Sequence, residues 1–158
     1  MVLPRRSAYP LMALTAVSLC GDALAAEWKS GVSGGRPYAE IASVQPGAAL
    51  RIECGDKNAL WLRYYPTRGW NGGAPAAVRA GAYKSPMEID GGDGALLSNL
   101  ANRDIGITPA LVNAMKRSAS LVVEGPAAAR VPSGQRTFAL GNAAAAIGGV
   151  EARCPRIK

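Results

Sequence analysis

Histidine does not occur anywhere in the 158 residues. That excludes Ser-His-Asp and Cys-His catalysis and every zinc site that needs imidazole. Cysteine is scarce: Cys20, Cys54 and Cys154 are the three, too few for a four-thiolate site and too far apart for a Cys-x-x-Cys redox pair. Acidic residues number 11 against 18 basic ones. The basic residues are scattered from Lys29 through Arg117 and onward, with no basic arm, so nucleic acid is not the expected partner. There is no internal repeat, heptad or charge block, and the longest apolar run falls well short of the ~20 residues that a membrane-spanning helix needs.

What the chain does have begins with its first 25 residues. Arg5 and Arg6 form a positive start, Leu11–Leu19 is an apolar core, and Ala23-Leu24-Ala25 is the small-x-small pattern of a signal-peptidase site. Gly21-Asp22 ends the apolar run too early for an anchor. Two other leader readings fit less well. Cys20 as a lipid acceptor is opposed by the bulky Leu19 before it, and Arg5-Arg6 as a twin-arginine signal has little around it in support. Residues 1–25 are therefore expected to be a cleaved signal peptide, and the protein to be periplasmic or secreted, with no transmembrane segment after cleavage. Processing removes two of the 18 basic and one of the 11 acidic residues, leaving a net charge of about +6.

Loss of Cys20 leaves two cysteines. In an oxidising compartment these are most simply read as a Cys54–Cys154 disulfide. Local patterning agrees. In Ala49–Cys54, Leu50, Ile52 and Cys54 share one face with Arg51 and Glu53 on the other. In a helix expected over 142–153, Ile147, Val150 and Cys154 fall on one side.

Between these points the pattern is of short strands separated by Gly, Pro, Asn and Asp. Strands are expected at Tyr38–Val44, Ala49–Cys54, Ala59–Tyr65, Ala77–Tyr83, Pro86–Ile89, Ser120–Glu124 and Arg136–Leu140. Ala95–Asn102 reads as a short helix or irregular. Pro109–Ser118 is a helix, with Thr108 as its N-cap, Pro109 at its first position and Lys116-Arg117 suited to the dipole at its end. Residues 26–37, rich in Gly and Ser, read as a flexible lead-in. The expected fold is α+β: residues 38–158 form one domain, an antiparallel β-sheet or sandwich with two short helices and one disulfide.

Two groups carry the candidate chemistry. Glu88, Asp90 and Asp93 form the densest acidic cluster, but the following residues supply neither the alternating ligands nor the closing Glu of a calcium loop. A glycine-rich turn is the better reading, and no metal or cofactor is expected. Tyr64, Tyr65, Arg68, Trp70 and Asn71, with Arg63 and Arg79 expected near by on the sheet, combine aromatic and guanidinium groups around a Gly-rich loop. Such groups anchor protein interfaces or stack on sugar rings; packing of Trp70 back over the sheet is the competing account.

The Leu50-Arg51-Ile52-Glu53-Cys54 strand end, the Leu121-Val122-Val123 strand and Trp28 soon after the leader are joined by the closing run of the chain. That close is Phe138-Ala139-Leu140-Gly141 followed by Ala145, Ala146 and Cys154. Together they resemble small periplasmic proteins of Gram-negative bacteria, nearest to the VasI-type proteins associated with type VI secretion and more distantly to invasion-associated locus B-like proteins. The long alanine-rich stretches and the lack of a mid-chain Trp-Ser element depart from that pattern. The resemblance implies a periplasmic accessory protein and transfers no catalytic residue. The functional expectation is a non-enzymatic binding or accessory protein of the cell envelope, with a protein partner and with peptidoglycan or another glycan as a lesser candidate. The alternatives are an inhibitor or immunity protein for an envelope hydrolase, and a glycan hydrolase using Glu88, Asp90 or Asp93 as acid and base.

Overall fold

A computed structural model describes residues 27–66, 75–90, 95–98, 102, 104–126 and 130–154; the expected signal peptide lies outside them. Among the described residues, nine strands and two α-helices run in the order β1 (Lys29–Ser33), β2 (Arg36–Ala42), β3 (Ala48–Cys54), β4 (Leu60–Pro66), β5 (Ala76–Ala80), β6 (Tyr83–Ile89), β7 (Ala95–Leu97), α1 (Pro109–Arg117), β8 (Ser120–Glu124), β9 (Thr137–Ala139) and α2 (Ala143–Arg153). The strands form an antiparallel sheet in the order β1-β2-β3-β4-β7-β6-β5-β8-β9. The fold class is α+β, as expected.

The sheet curls until distant strands meet. Tyr64 on β4 and Phe138 on β9 stand edge to face with ring centroids 6.0 Å apart. Beyond β2, the Val44 N–H donates to the Thr137 carbonyl at 2.8 Å. Both helices pack within the curl, α1 against β5 and β6, α2 against β2, β3 and α1. The core is continuous from Leu50, Ile52 and Leu62 through Leu111 and Met115 to Ile147 and Val150, all of them sealed from solvent.

Local chemistry explains the helices. The Thr108 side chain accepts from the Leu111 N–H and Pro109 opens α1, whose buried residues are Leu111, Val112, Ala114 and Met115. In α2, Ile147 and Val150 face inward and Cys154 follows as the C-cap, which places its Cα 5.6 Å from that of Cys54 at the end of β3. The disulfide read from the sequence is present. It ties the end of β3 to the end of the last helix, 100 residues apart.

Three readings require correction. Residues 29–33, expected within a flexible lead-in, pair along β2 from Lys29↔Glu40 to Ser33↔Arg36. Gly34 and Gly35 both take positive φ, 56° and 77°, as a two-residue hairpin turn demands. The glycines mark a turn there, so the domain begins before residue 38. Ala77–Tyr83 is two strands and not one, because Gly81 at φ 58° turns the chain between Ala80 and Tyr83. Ala95–Leu97 is a strand, buried on both faces, so it shows no alternation to read.

Candidate functional site

The sheet has a second face, and β1 to β4 build it by simple alternation. With Ala39 and Ile41, Leu50 and Ile52, and Leu62 and Tyr64 turned to the core, the residues between them point the other way. These are Tyr38 and Glu40, Arg51 and Glu53, then Trp61, Arg63 and Tyr65. Register sets them in rows: Tyr38–Glu53–Trp61, Glu40–Arg51–Arg63 and Ala42–Ala49–Tyr65. The result is a checkerboard of aromatic, guanidinium and carboxylate groups.

Arg51 sits directly opposite Arg63, a like-charge pairing that would cost stability on its own. Each arginine is offset by a carboxylate. Arg51 donates through Nε and Nη2 to Glu40 Oε2, both at 2.8 Å; Arg63 Nε donates to Glu53 Oε1 at 2.7 Å. The second pair is the more deeply placed, with side chains 11 % and 7 % exposed. Aromatic rings complete the lattice. The Arg51 guanidinium lies 4.0 Å from the Tyr38 ring centroid and 5.6 Å from that of Tyr65, so it is held between two phenols. Trp61 lies between Arg36 at 5.0 Å and Arg63 at 5.4 Å, and Arg36 is bonded in turn to Asp56 at 2.9 Å.

The face grades from sealed to open. Trp61 is buried, joined with Ala59, Ala95 and Leu97 in a small apolar cluster of its own. Its indole lies so close over Gly55 that a Cβ there would meet Nε1. Tyr65 is exposed, at 39 %, and Arg51 and Glu40 are partly so. Partial burial raises the Tyr65 phenol pKa, while Arg63 and Arg51 pull it back. The three carboxylates balance the three arginines, so the face offers rigid aromatic surface and already-paired charge in place of a bare cationic patch.

Of the residues singled out from sequence, Tyr65 and Arg63 are on this face. Tyr64 is not: it is 1 % exposed, and its hydroxyl donates to the Gln135 carbonyl at 3.1 Å. Adjacent residues on a strand face opposite ways, so Tyr64 and Tyr65 could not both be at one surface. Arg68, Trp70 and Asn71 lie outside the described residues. Arg79 is on β5, separated from β4 by β7 and β6, and pairs with Glu124 at 2.6 Å. In the acidic cluster Glu88 is on β6 opposite Leu97, the Asp90 N–H donates to the Ala95 carbonyl, and Asp93 lies outside the described residues. Tyr38, Glu40, Arg51, Glu53 and Trp61 were not anticipated as a site. Their signal was the polar and aromatic half of each alternating strand.

A separate cavity of about 480 Å³ opens beside the disulfide, lined by Leu60, Ile105, Ile107, Val112, Glu151 and Cys154 among others. Its charged rim is paired, with Lys116 bonded to Glu151 at 2.6 Å.

Comparison with family models, curated proteins and solved structures found no match.

Proposed function

We propose that the processed chain is a binding module of the cell envelope that engages a protein partner through the face formed by Tyr38, Arg51 and Tyr65. The observation that carries this reading is the clamping of Arg51 between two tyrosine rings and Glu40. Arginine and tyrosine are enriched among the residues that dominate interface energetics. Side chains already held in place lose little entropy on binding. The leader-like first 25 residues and the Cys54–Cys154 bridge support an address outside the reducing cytosol, and the resemblance to periplasmic accessory proteins points the same way. A partner that is itself an envelope hydrolase would make the same contact an inhibitory one.

The test is site-specific photocrosslinking from position 65, with position 117 on α1 as the control, followed by calorimetry on the partner so identified. A single stoichiometric protein captured from 65 alone, with affinity reduced at least about tenfold by Tyr65→Ala or Arg51→Ala, is the expected result. Equal capture from both positions, or unchanged affinity in both variants, would remove this face as the site.

A further inference from the structure

The two edges of the sheet differ. At β9 the edge is covered: besides the Val44 bond to Thr137, the Gln45 N–H donates to the Gly134 carbonyl at 3.0 Å. Gln135 Nε2 also donates to the Pro46 carbonyl at 3.0 Å. At β1 nothing comparable occurs among the described residues. Four of its five residues are exposed, Val32 at 63 %. Among the described residues, the backbone bonds of 29–33 are confined to the pairing with β2.

Natural edge strands are usually guarded by proline, a bulge or a charge set where a new strand would lie. The segment Lys-Ser-Gly-Val-Ser has neither proline nor bulge, and its register with β2 is unbroken over all five residues. Its one charge, Lys29, is at the end and lies opposite Glu40.

We propose that β1 pairs antiparallel with β1 of a second copy, about a two-fold axis through Gly31, so that the two sheets become one. The sequence of the strand is self-complementary under that operation. Gly31 meets Gly31 of the other copy, Ser30 meets Val32, and Lys29 meets Ser33, so no like charges face each other. The exposed Val32 gains a neighbour. The Tyr38 ring already extends over Gly31, where a Cβ would stand 2.7 Å from its hydroxyl, so a phenol from each copy flanks the seam. Both Tyr38–Arg51–Tyr65 faces then lie on the same side of the joined sheet, giving a bivalent surface. The pairing does not depend on which partner that face takes.

Sedimentation of the processed chain tests it, using the wild type and two variants that alter the same two edge positions. In Ser30→Lys/Val32→Lys the axis sets Lys against Lys twice; in Ser30→Lys/Val32→Glu it sets Lys against Glu twice. The wild type should show a concentration-dependent dimer. The first variant should weaken it at least about tenfold, and the second should dimerise more tightly than the first. Circular dichroism checks that each variant is folded. A wild type that stays monomeric up to about 1 mM, or dimerisation indifferent to the difference between the two variants, overturns the proposal. Those outcomes are separable from the crosslinking result at position 65, which reads a different surface.

Discussion

Breaking the Cys54–Cys154 bridge should remove a large share of the domain's stability. The bridge spans 100 residues, and closing a loop of that length restricts the unfolded chain by about 4.7 kcal/mol in the chain-entropy account. Marginal stability of small domains is about 5–15 kcal/mol, so the loss is a major fraction of the whole. Cys54 is also buried, at the end of β3 where that strand packs against α2. Truncating it to alanine therefore adds about 1 kcal/mol for the lost contacts. Urea unfolding followed by tryptophan fluorescence and circular dichroism separates the two parts. Oxidised and reduced wild type differ only in the cross-link; reduced wild type and Cys54→Ala/Cys154→Ala differ in the packing. With a denaturant slope of ~2 kcal/mol per molar, reduction should lower the midpoint by about 2 M and steepen the slope, because the freed unfolded chain exposes more surface. If oxidised and reduced protein agree within about 1 kcal/mol, the bridge does not constrain the unfolded state as argued.

Other consequences follow from single positions. Glu53→Ala removes a carboxylate partner from the nearly sealed Arg63 guanidinium opposite Arg51 and should cost about 3 kcal/mol, whereas Glu53→Met/Arg63→Met together should cost far less; denaturant midpoints of the three proteins decide it. Burial raises the Tyr64 phenol pKa to about 12, partly countered by Arg136, and an unfolded phenol ionises near pH 10. The unfolded state thus loses its proton first. Stability that is intact below about pH 10 should decline by up to ~2–3 kcal/mol toward pH 12, and Tyr64→Phe should flatten that decline in midpoints measured across the range. Gly55→Ala forces the Trp61 indole off its seat and should cost about 1–3 kcal/mol, with a change in tryptophan emission that Gly148→Ala, where a Cβ meets nothing within 4 Å, does not produce.

Much of the fold was legible because single-strand alternation and helix capping are local. Leu50, Ile52 and Cys54 alternate with Arg51 and Glu53, and the burial follows that alternation apart from Glu53, which is sealed by its neighbours on the other face. Thr108-Pro109 announces α1, and the helix begins there. The strand β1 was hidden because its glycines suggested looseness, whereas Gly34 and Gly35 are the tight turn and Gly31 is the floor beneath Tyr38. The strand β7 was hidden because burial on both faces erases the period of two.

The site was half legible. Alternation within Ala59–Tyr65 already places Trp61, Arg63 and Tyr65 on one face. Grouping Tyr64 with Tyr65 followed chain adjacency where strand geometry separates them. No reading of one strand could find Arg51 between Tyr38 and Tyr65, since those residues come from β3, β2 and β4 and meet only once their registers are fixed.

Whether the Tyr38–Arg51–Tyr65 face is the binding site is decided by the affinity of the Tyr65→Ala and Arg51→Ala variants for the protein crosslinked from position 65, measured against wild type and with each fold verified. Both should weaken binding at least about tenfold while the Arg117→Ala control does not. Wild-type affinity in both variants would contradict it.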